Sequence, residues 1–133
     1  KVKQILFSHN EFKGTIRGLH YQKKFKQSKI IRVISGKIFD VFVNINPRSK
    51  NYGKYGYAYL EENKINSIFI NKDYAHGFQT LTNNVEIVYL LDNKYSEKHH
   101  QSILYKDEYL NIKWPLKCSK ISKNDKNGKK FGE

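Results

Sequence analysis

The sequence has only one cysteine, Cys118, and no long apolar run. A single cysteine excludes an intramolecular disulfide framework and is typical of a protein from a reducing compartment. Residues 1–7 alternate between polar and apolar side chains, so they lack the apolar stretch of a signal peptide. No segment approaches the roughly 20 apolar residues that a helix needs to cross a bilayer. We therefore expect a cytoplasmic protein with no membrane partner.

Arginine is also scarce. Only Arg17, Arg32 and Arg48 stand among 25 basic residues, which outnumber 12 acidic ones and leave a formal net charge of +13. Such a charge is typical of nucleic-acid-binding proteins, but recognition of phosphates and bases favours arginine over lysine. The many lysines accompany many Asn and Ile residues, which indicates a biased proteome. We expect no nucleic-acid partner, although the charge favours a small anionic ligand such as a nucleoside diphosphate.

Helical periodicity is weak throughout, and short strands predominate. Alternating or β-branched segments are separated by turn residues every eight to twelve positions or so, which is typical of an antiparallel sandwich or barrel. The predicted strands cover residues 14–22, 29–35, 37–45, 55–60, 67–70, 78–81 and 85–91. After Pro115 we expect a polar tail with short helical or irregular structure, frayed over its last ten residues. The whole chain, residues 1–133, is predicted to be one all-β domain.

The sequence lacks the histidine pattern of a metal-binding β-barrel. Such a site needs closely spaced histidines on one strand with a carboxylate nearby, and no His-x-His occurs. The adjacent His99 and His100 fall in a polar segment beside Glu97 and Lys98, where we expect a solvated loop instead of a pair of ligands. We therefore expect no metal.

Two other histidines lie in apolar segments marked by glycines: His20, within residues 14–22, and His76. Glycine in a strand usually marks a bulge or a close approach by another group. A histidine beside such a break suits proton transfer, although a half-exposed strand with an incidental histidine gives the same pattern. Arg17 lies three residues from His20, so strict alternation places the two on opposite faces. A bulge at Gly18 would bring both into one pocket.

Three more polar residues lie at strand positions. Asp40 is a carboxylate within an apolar strand, which is uncommon unless the group is paired or functional. Lys29 could be its partner, or could lie exposed at a strand end. Tyr89 is either a core tyrosine with a satisfied hydroxyl or a functional group.

Taken in order, these segments resemble the dTDP-4-dehydrorhamnose 3,5-epimerase family from about residue 14 to residue 125. The matching motifs are Arg17-Gly18-Leu19-His20-Tyr21-Gln22, Lys29 with Arg32, Phe39-Asp40-Val41, Tyr52-Gly53, Ala75-His76-Gly77-Phe78, Thr80-Leu81, Tyr89, Ser102-Ile103-Leu104, Asp107, Ile112-Lys113-Trp114-Pro115, Ser122 and Asp125. Each motif is weak alone, but the ordered series is specific.

The resemblance implies a cupin-type antiparallel β-barrel (jelly roll) that forms a homodimer. It implies an epimerase of a nucleotide-linked 4-keto-6-deoxy sugar, which inverts C3, C5 or both through an enolate without a metal or an organic cofactor. Such an enzyme serves surface polysaccharide or deoxysugar biosynthesis.

The resemblance also implies roles for individual residues. His20 matches the catalytic base, and Asp125 matches the acid that pairs with it. Lys29 matches the cation near the enolate oxygen, and Tyr89 matches the acid that returns a proton from the opposite face. Asp40 is expected to orient His76 or Lys29. The residues expected to bind substrate are Arg17, Gln22, His76 and Asp40.

Some parts of the family pattern differ here. The family's Asp-x-Arg-Gly segment, which reaches the nucleotide, precedes the matching stretch and has no counterpart in the printed sequence. Asn44-Ile45-Asn46 stands where Asp-Ile-Arg is usual. Two alternatives to the epimerase remain open. The missing segment makes a non-catalytic cupin that binds a sugar nucleotide plausible, and the net charge leaves a basic nucleic-acid-binding β-barrel.

Overall fold

The computed structural model describes all residues, Lys1–Glu133, as nine strands and one short helix. In chain order these are β1 (Gln4–Asn10), β2 (Ile16–Gln22), β3 (Lys29–Ser35), β4 (Lys37–Asn44), β5 (Tyr55–Glu61), β6 (Ser67–Ile70), β7 (Tyr74–Thr80), β8 (Val85–Leu91), β9 (His100–Ser102) and α1 (Lys123–Lys126). The strands form a four-stranded sheet, β1-β8-β3-β6, and a five-stranded sheet, β5-β4-β7-β2-β9. All strand pairs are antiparallel. No helix is long and apolar enough to span a bilayer.

The core lies between the two sheets because their strands alternate. In β3, for example, Ile31 and Val33 are buried while Ile30 and Ile34 face outward. The inward side chains of β3 and β8 pack against those of β4, β5 and β7, including the fully buried Phe78. The result is the all-β antiparallel barrel that the sequence predicts.

The C-terminal segment packs onto the five-stranded sheet and is not frayed. Leu110 and Ile112 join Leu19 in a second buried cluster, against which Phe131 packs. The backbone N–H of Phe131 donates to Asp107 Oδ2 at 2.8 Å. The prediction of a frayed end is therefore wrong for most of this segment, and the packing brings α1 next to β2.

Strand boundaries agree with the sequence where the apolar pattern is strong. Residues 29–35, 67–70 and 85–91 are strands as predicted. The strand predicted at 78–81 instead runs over Tyr74–Thr80, so that His76 lies within it and not beside it.

The predicted irregularity at Gly18 is present. The pairing of β2 with β7 shifts register between Arg17 and His20, and Gly18 has a φ of +114°. A Cβ at this position would lie 2.7 Å from both Gly77 Cα and the His76 carbonyl oxygen. Glycine is therefore required here by both its backbone conformation and the close approach of β7.

Candidate active site

A cavity of about 320 Å³ lies between the sheets and is lined by residues of β1, β2, β3, β7, β8 and β9. Five residues predicted for the site line it: Arg17, His20, Lys29, His76 and Tyr89. The bulge at Gly18 brings Arg17 and His20 to the same cavity, although they are three residues apart.

His20 and Asp125 form a hydrogen-bonded pair, with 2.7 Å between Nε2 and Oδ1. Three further hydrogen bonds hold Asp125. Its carboxylate accepts from the N–H of Gly18 at 3.1 Å and from the hydroxyl of Ser102 at 2.8 Å. The backbone N–H of Asp125 donates to the hydroxyl of Ser122 at 3.1 Å. A carboxylate accepts only. Nε2 of His20 therefore donates to it, which leaves Nδ1 with the lone pair.

The carboxylate of Asp125 stays ionised in this position. Burial raises its pKa, but the hydrogen bond and the charge of His20 oppose that effect together with the donors from Gly18 and Ser102, and the pKa falls to about 2. The pair can thus stabilise an imidazolium at His20 once Nδ1 accepts a proton.

Asp40 holds His76 through a second pair, with 2.6 Å between Oδ1 and Nε2. Both side chains are almost fully buried. Burial lowers the pKa of His76, against the charge and hydrogen bond of Asp40, which favours a neutral ring. Of the two partners expected for Asp40, the contact is with His76, while Oδ2 is buried without a hydrogen-bond partner.

Lys29 is a buried cation at the cavity wall, 8% exposed and without a hydrogen-bond or ion-pair partner in the chain. Burial lowers its pKa to about 8, and the charge of Asp40 partly offsets this. Lys29 is therefore mostly charged at neutral pH and can stabilise an oxyanion in the cavity.

Tyr89 lines the cavity from β8, with its ring in an edge contact with His76 at 6.2 Å between centroids. Burial and the charge of Asp40 raise its pKa above the ordinary value. The hydroxyl keeps its proton at neutral pH and makes no hydrogen bond within the chain, so it is available as a donor.

Of the other two residues predicted to bind substrate, Arg17 lines the cavity and Gln22 does not. Arg17 donates from Nε to Asn10 Oδ1 at 2.6 Å, which leaves its terminal nitrogens free for an anion. The amide of Gln22 donates to Phe25 O at 2.8 Å and accepts from the Ser96 N–H at 2.7 Å, so it fastens the loop after β8. A substrate contact by Gln22 stays a prediction.

Several cavity residues were missed from the sequence, among them Tyr95 and His100. The expectation that His100 lies in a solvated loop is wrong, because its ring centroid is 4.7 Å from that of His20 and 5.2 Å from that of Tyr95. The neighbours of His100 in the sequence are polar, so they indicated an exposed segment. The three residues of β9 are too few to show the alternation of a strand. No group of three or more His, Cys, Asp and Glu side chains is placed to hold a metal ion.

Solved structures place this barrel in the cupin-like jelly-roll class. The structure of the RmlC epimerase from Legionella pneumophila in complex with dTDP-4-keto-L-rhamnose has a TM-score of 0.94 and 34% identity, and the match covers 98% of this chain and 69% of that one. The dTDP-4-dehydrorhamnose 3,5-epimerase from Bacillus anthracis with TDP and PPi bound has a TM-score of 0.95 and 32% identity, covering 98% and 75%.

Sequence comparisons identify the family. The family described as dTDP-4-dehydrorhamnose 3,5-epimerase matches residues 1–133. The enzyme of that name from Shigella flexneri is 37% identical over an alignment of 133 positions, and the match covers 98% of this chain and 74% of the relative. The one from Neisseria gonorrhoeae is 34% identical, and the match spans 93% of this chain but 38% of that relative. The chain belongs to the dTDP-4-dehydrorhamnose 3,5-epimerase family.

Proposed function

We propose that this protein epimerises a nucleotide-linked 4-keto-6-deoxy sugar at C3, C5 or both, by removing and returning a proton through an enolate. The observation that carries the proposal is the His20–Asp125 pair, which lies at one cavity together with Lys29 and the protonated Tyr89. The relatives' names and the bound dTDP-4-keto-L-rhamnose of the Legionella structure support the choice of substrate class.

The first step is abstraction of a proton beside the C4 ketone. Nδ1 of His20 accepts the proton, and the electron pair of the C–H bond moves to form a C=C bond while the carbonyl electrons move to oxygen. Asp125 stabilises the imidazolium that results. The charge of Lys29 stabilises the enolate oxygen, and donors aimed at such a charge are worth roughly 3–4 kcal/mol in other enzymes.

The second step is reprotonation from the other face. The hydroxyl proton of Tyr89 passes to the carbon, and the enolate electrons re-form the C4 carbonyl, which inverts the carbon. The phenolate left on Tyr89 is unfavourable because its pKa is raised. It therefore regains a proton, while His20 loses the one it accepted, and both residues return to their starting states.

The diphosphate of the substrate suits the charge of the protein. The net charge is +13, and Arg17 presents free guanidinium nitrogens at the cavity. A guanidinium binds phosphate through paired hydrogen bonds. We propose that Arg17 contacts the diphosphate or the sugar.

We also propose that the protein acts as a cytoplasmic homodimer without nucleic-acid or membrane partners. The outward face of the four-stranded sheet carries an apolar row that crosses all its strands in register. The row consists of Ile5, Leu90, Ile30 and Phe69. Phe7 beside it is 77% exposed. Contiguous exposed apolar surface of this kind favours association. Size-exclusion chromatography with light scattering would measure the mass of the protein in solution and so its oligomeric state.

The proposed reaction is tested by incubation with several nucleoside-diphosphate 4-keto-6-deoxy sugars in D₂O. Proton NMR would follow deuterium at C3 and C5, with enzyme-free samples as the control. We expect exchange together with inversion at one or both carbons. Binding without exchange would instead favour a non-catalytic cupin, and salt-dependent binding of arbitrary nucleic-acid strands would favour the basic barrel.

A further inference from the structure

We propose that His100 is a positioning residue for the base: its imidazole forms a wall against which the His20 ring rests, while Asp125 holds one nitrogen of that ring. This inference rests on the proposed function, because the ring being positioned is the one that removes the substrate proton. It assigns a role to a residue that the sequence places in a polar, solvated segment.

The ring contacts carry the proposal. The His100 ring lies 4.7 Å from the His20 ring and 5.2 Å from the Tyr95 ring, tilted by 57° and 53° respectively, so it is packed between them. The hydrogen bond to Asp125 fixes Nε2 of His20 but leaves the plane of the ring free to rotate about that contact. The torsion that turns a histidine ring has broad wells. A second ring packed next to it, at 4.7 Å between centroids, restricts that rotation and so orients Nδ1.

The backbone places His100 for this contact. In the pairing of β9 with β2, His100 lies opposite Gln22 and Ser102 lies opposite His20. Residues 100 and 102 share one face of the strand. The hydroxyl of Ser102 holds Asp125 Oδ1 at 2.8 Å, so β9 supports both members of the pair, the carboxylate through Ser102 and the imidazole through His100.

Hydrogen bonds fix the loop before β9 and so hold the His100 ring in place. The N–H of His100 donates to Ser96 O at 2.9 Å, and the N–H of Ser96 donates to Gln22 Oε1 at 2.7 Å. The N–H of Tyr95 donates to Gln4 Oε1 at 2.7 Å. The buried amide of Gln22 therefore supports the site through this loop.

The charge state of His100 also suits a wall. The titratable groups around it are His20, Asp125, Lys29 and Tyr95, and its own loop carries Lys94, Glu97, Lys98 and His99. Burial and then the charge of His20 lower the pKa of His100 to about 4; the charge of Asp125 opposes this effect, and the charge of Lys29 adds to it. His100 is therefore neutral at neutral pH. A neutral wall does not repel the imidazolium that forms during the reaction.

The test compares His100→Ala, His100→Phe and His100→Lys with His99→Lys as the control. His99 is the adjacent residue, and its ring contacts Phe25 instead of His20. We expect His100→Ala to lower kcat for exchange about tenfold to a hundredfold with little change in KM, since misplacing a reacting group costs rates of this size. His100→Phe keeps the ring and should recover most of the loss.

The pH response separates positioning from a loss of fold. The lysine of His100→Lys is a permanent cation. It should lower the midpoint of the His20 ring titration, measured by NMR, by about one pH unit, and it should lower by the same amount the pH below which exchange slows. His99→Lys should leave both unchanged. Wild-type kcat in His100→Ala, or an equal shift in both lysine variants, would overturn the proposal. The NMR titration uses substrate-free protein, so it tests the contact between residue 100 and the His20 ring even if the wild-type protein shows no exchange and the proposed reaction fails.

Discussion

Asp40→Asn should move the alkaline limit of the exchange reaction to lower pH by acting on Lys29. The charge of Asp40 raises a lysine pKa that burial lowers to about 8. A nearby opposite charge shifts a pKa by about 1–3 units, and the two groups form no ion pair, so we expect a change of about one unit. That corresponds to about 1.4 kcal/mol. Asparagine keeps a side-chain oxygen that can accept from His76, so the variant removes charge without removing the contact.

Two measurements check this shift. The initial rate of deuterium exchange, followed against pH, should fall above about pH 8 in the wild-type protein, as Lys29 loses its charge, and about one unit lower in Asp40→Asn. NMR of protein labelled with carbon-13 at lysine Cε should show one resonance that titrates with the same midpoints and is missing from Lys29→Met. Asp73→Asn, which removes a charge that does not act on Lys29, is the control. If all lysine resonances titrate together near the ordinary value of 10.5, or if Asp40→Asn leaves both midpoints unchanged, the electrostatic reasoning is wrong.

Three further predictions concern Tyr89, Asp125 and Gly18. Tyr89→Phe should retain deuterium exchange but suppress inversion at least about tenfold, because proton return from the opposite face is lost; product analysis by NMR measures both, and an equal loss of both would contradict the assigned role. Asp125 has a pKa of about 2 against an ordinary 3.8, so its charge contributes stability above about pH 4 that is lost as the pH falls toward 2. Urea unfolding followed against pH should show this loss of unfolding free energy, and Asp125→Asn should show a smaller loss over the same range. Gly18→Ala should cost about 3 kcal/mol or more in unfolding free energy, since the new Cβ meets backbone atoms at 2.7 Å. Gly132→Ala, with a φ of +87° and open space around it, controls for backbone strain alone, and an equal cost in both variants would refute the clash.

The strongest strands could be predicted from local pattern. Residues 29–35 and 85–91 are rich in β-branched and apolar side chains and end at turns, so their period is visible without tertiary information. The strand β7 was placed too late, because His76 and Gly77 interrupt its apolar pattern. Those two residues belong to the close approach with Gly18, which depends on a partner strand and is invisible in β7 itself.

The site could be predicted only in part for a similar reason. The motifs of the family indicated that His20 pairs with Asp125, although 105 residues separate them. Local pattern alone indicated an unstructured end there, because the burial of Asp125 depends on packing against β2. His100 was missed because its contacts also come from β2, while its neighbours in the sequence are polar. Pairing in space, and not composition, determines which of the adjacent His99 and His100 reaches the cavity.

The most direct test of the central claim is deuterium exchange by His20→Asn beside the wild-type protein. With a nucleoside-diphosphate 4-keto-6-deoxy sugar in D₂O, we expect the wild-type protein to incorporate deuterium at C3, C5 or both. Loss of the general base should slow this by about 10²–10⁴-fold, while nucleotide-sugar binding, measured by calorimetry, persists. Exchange by His20→Asn at the wild-type rate would show that His20 is not the base and would contradict the account.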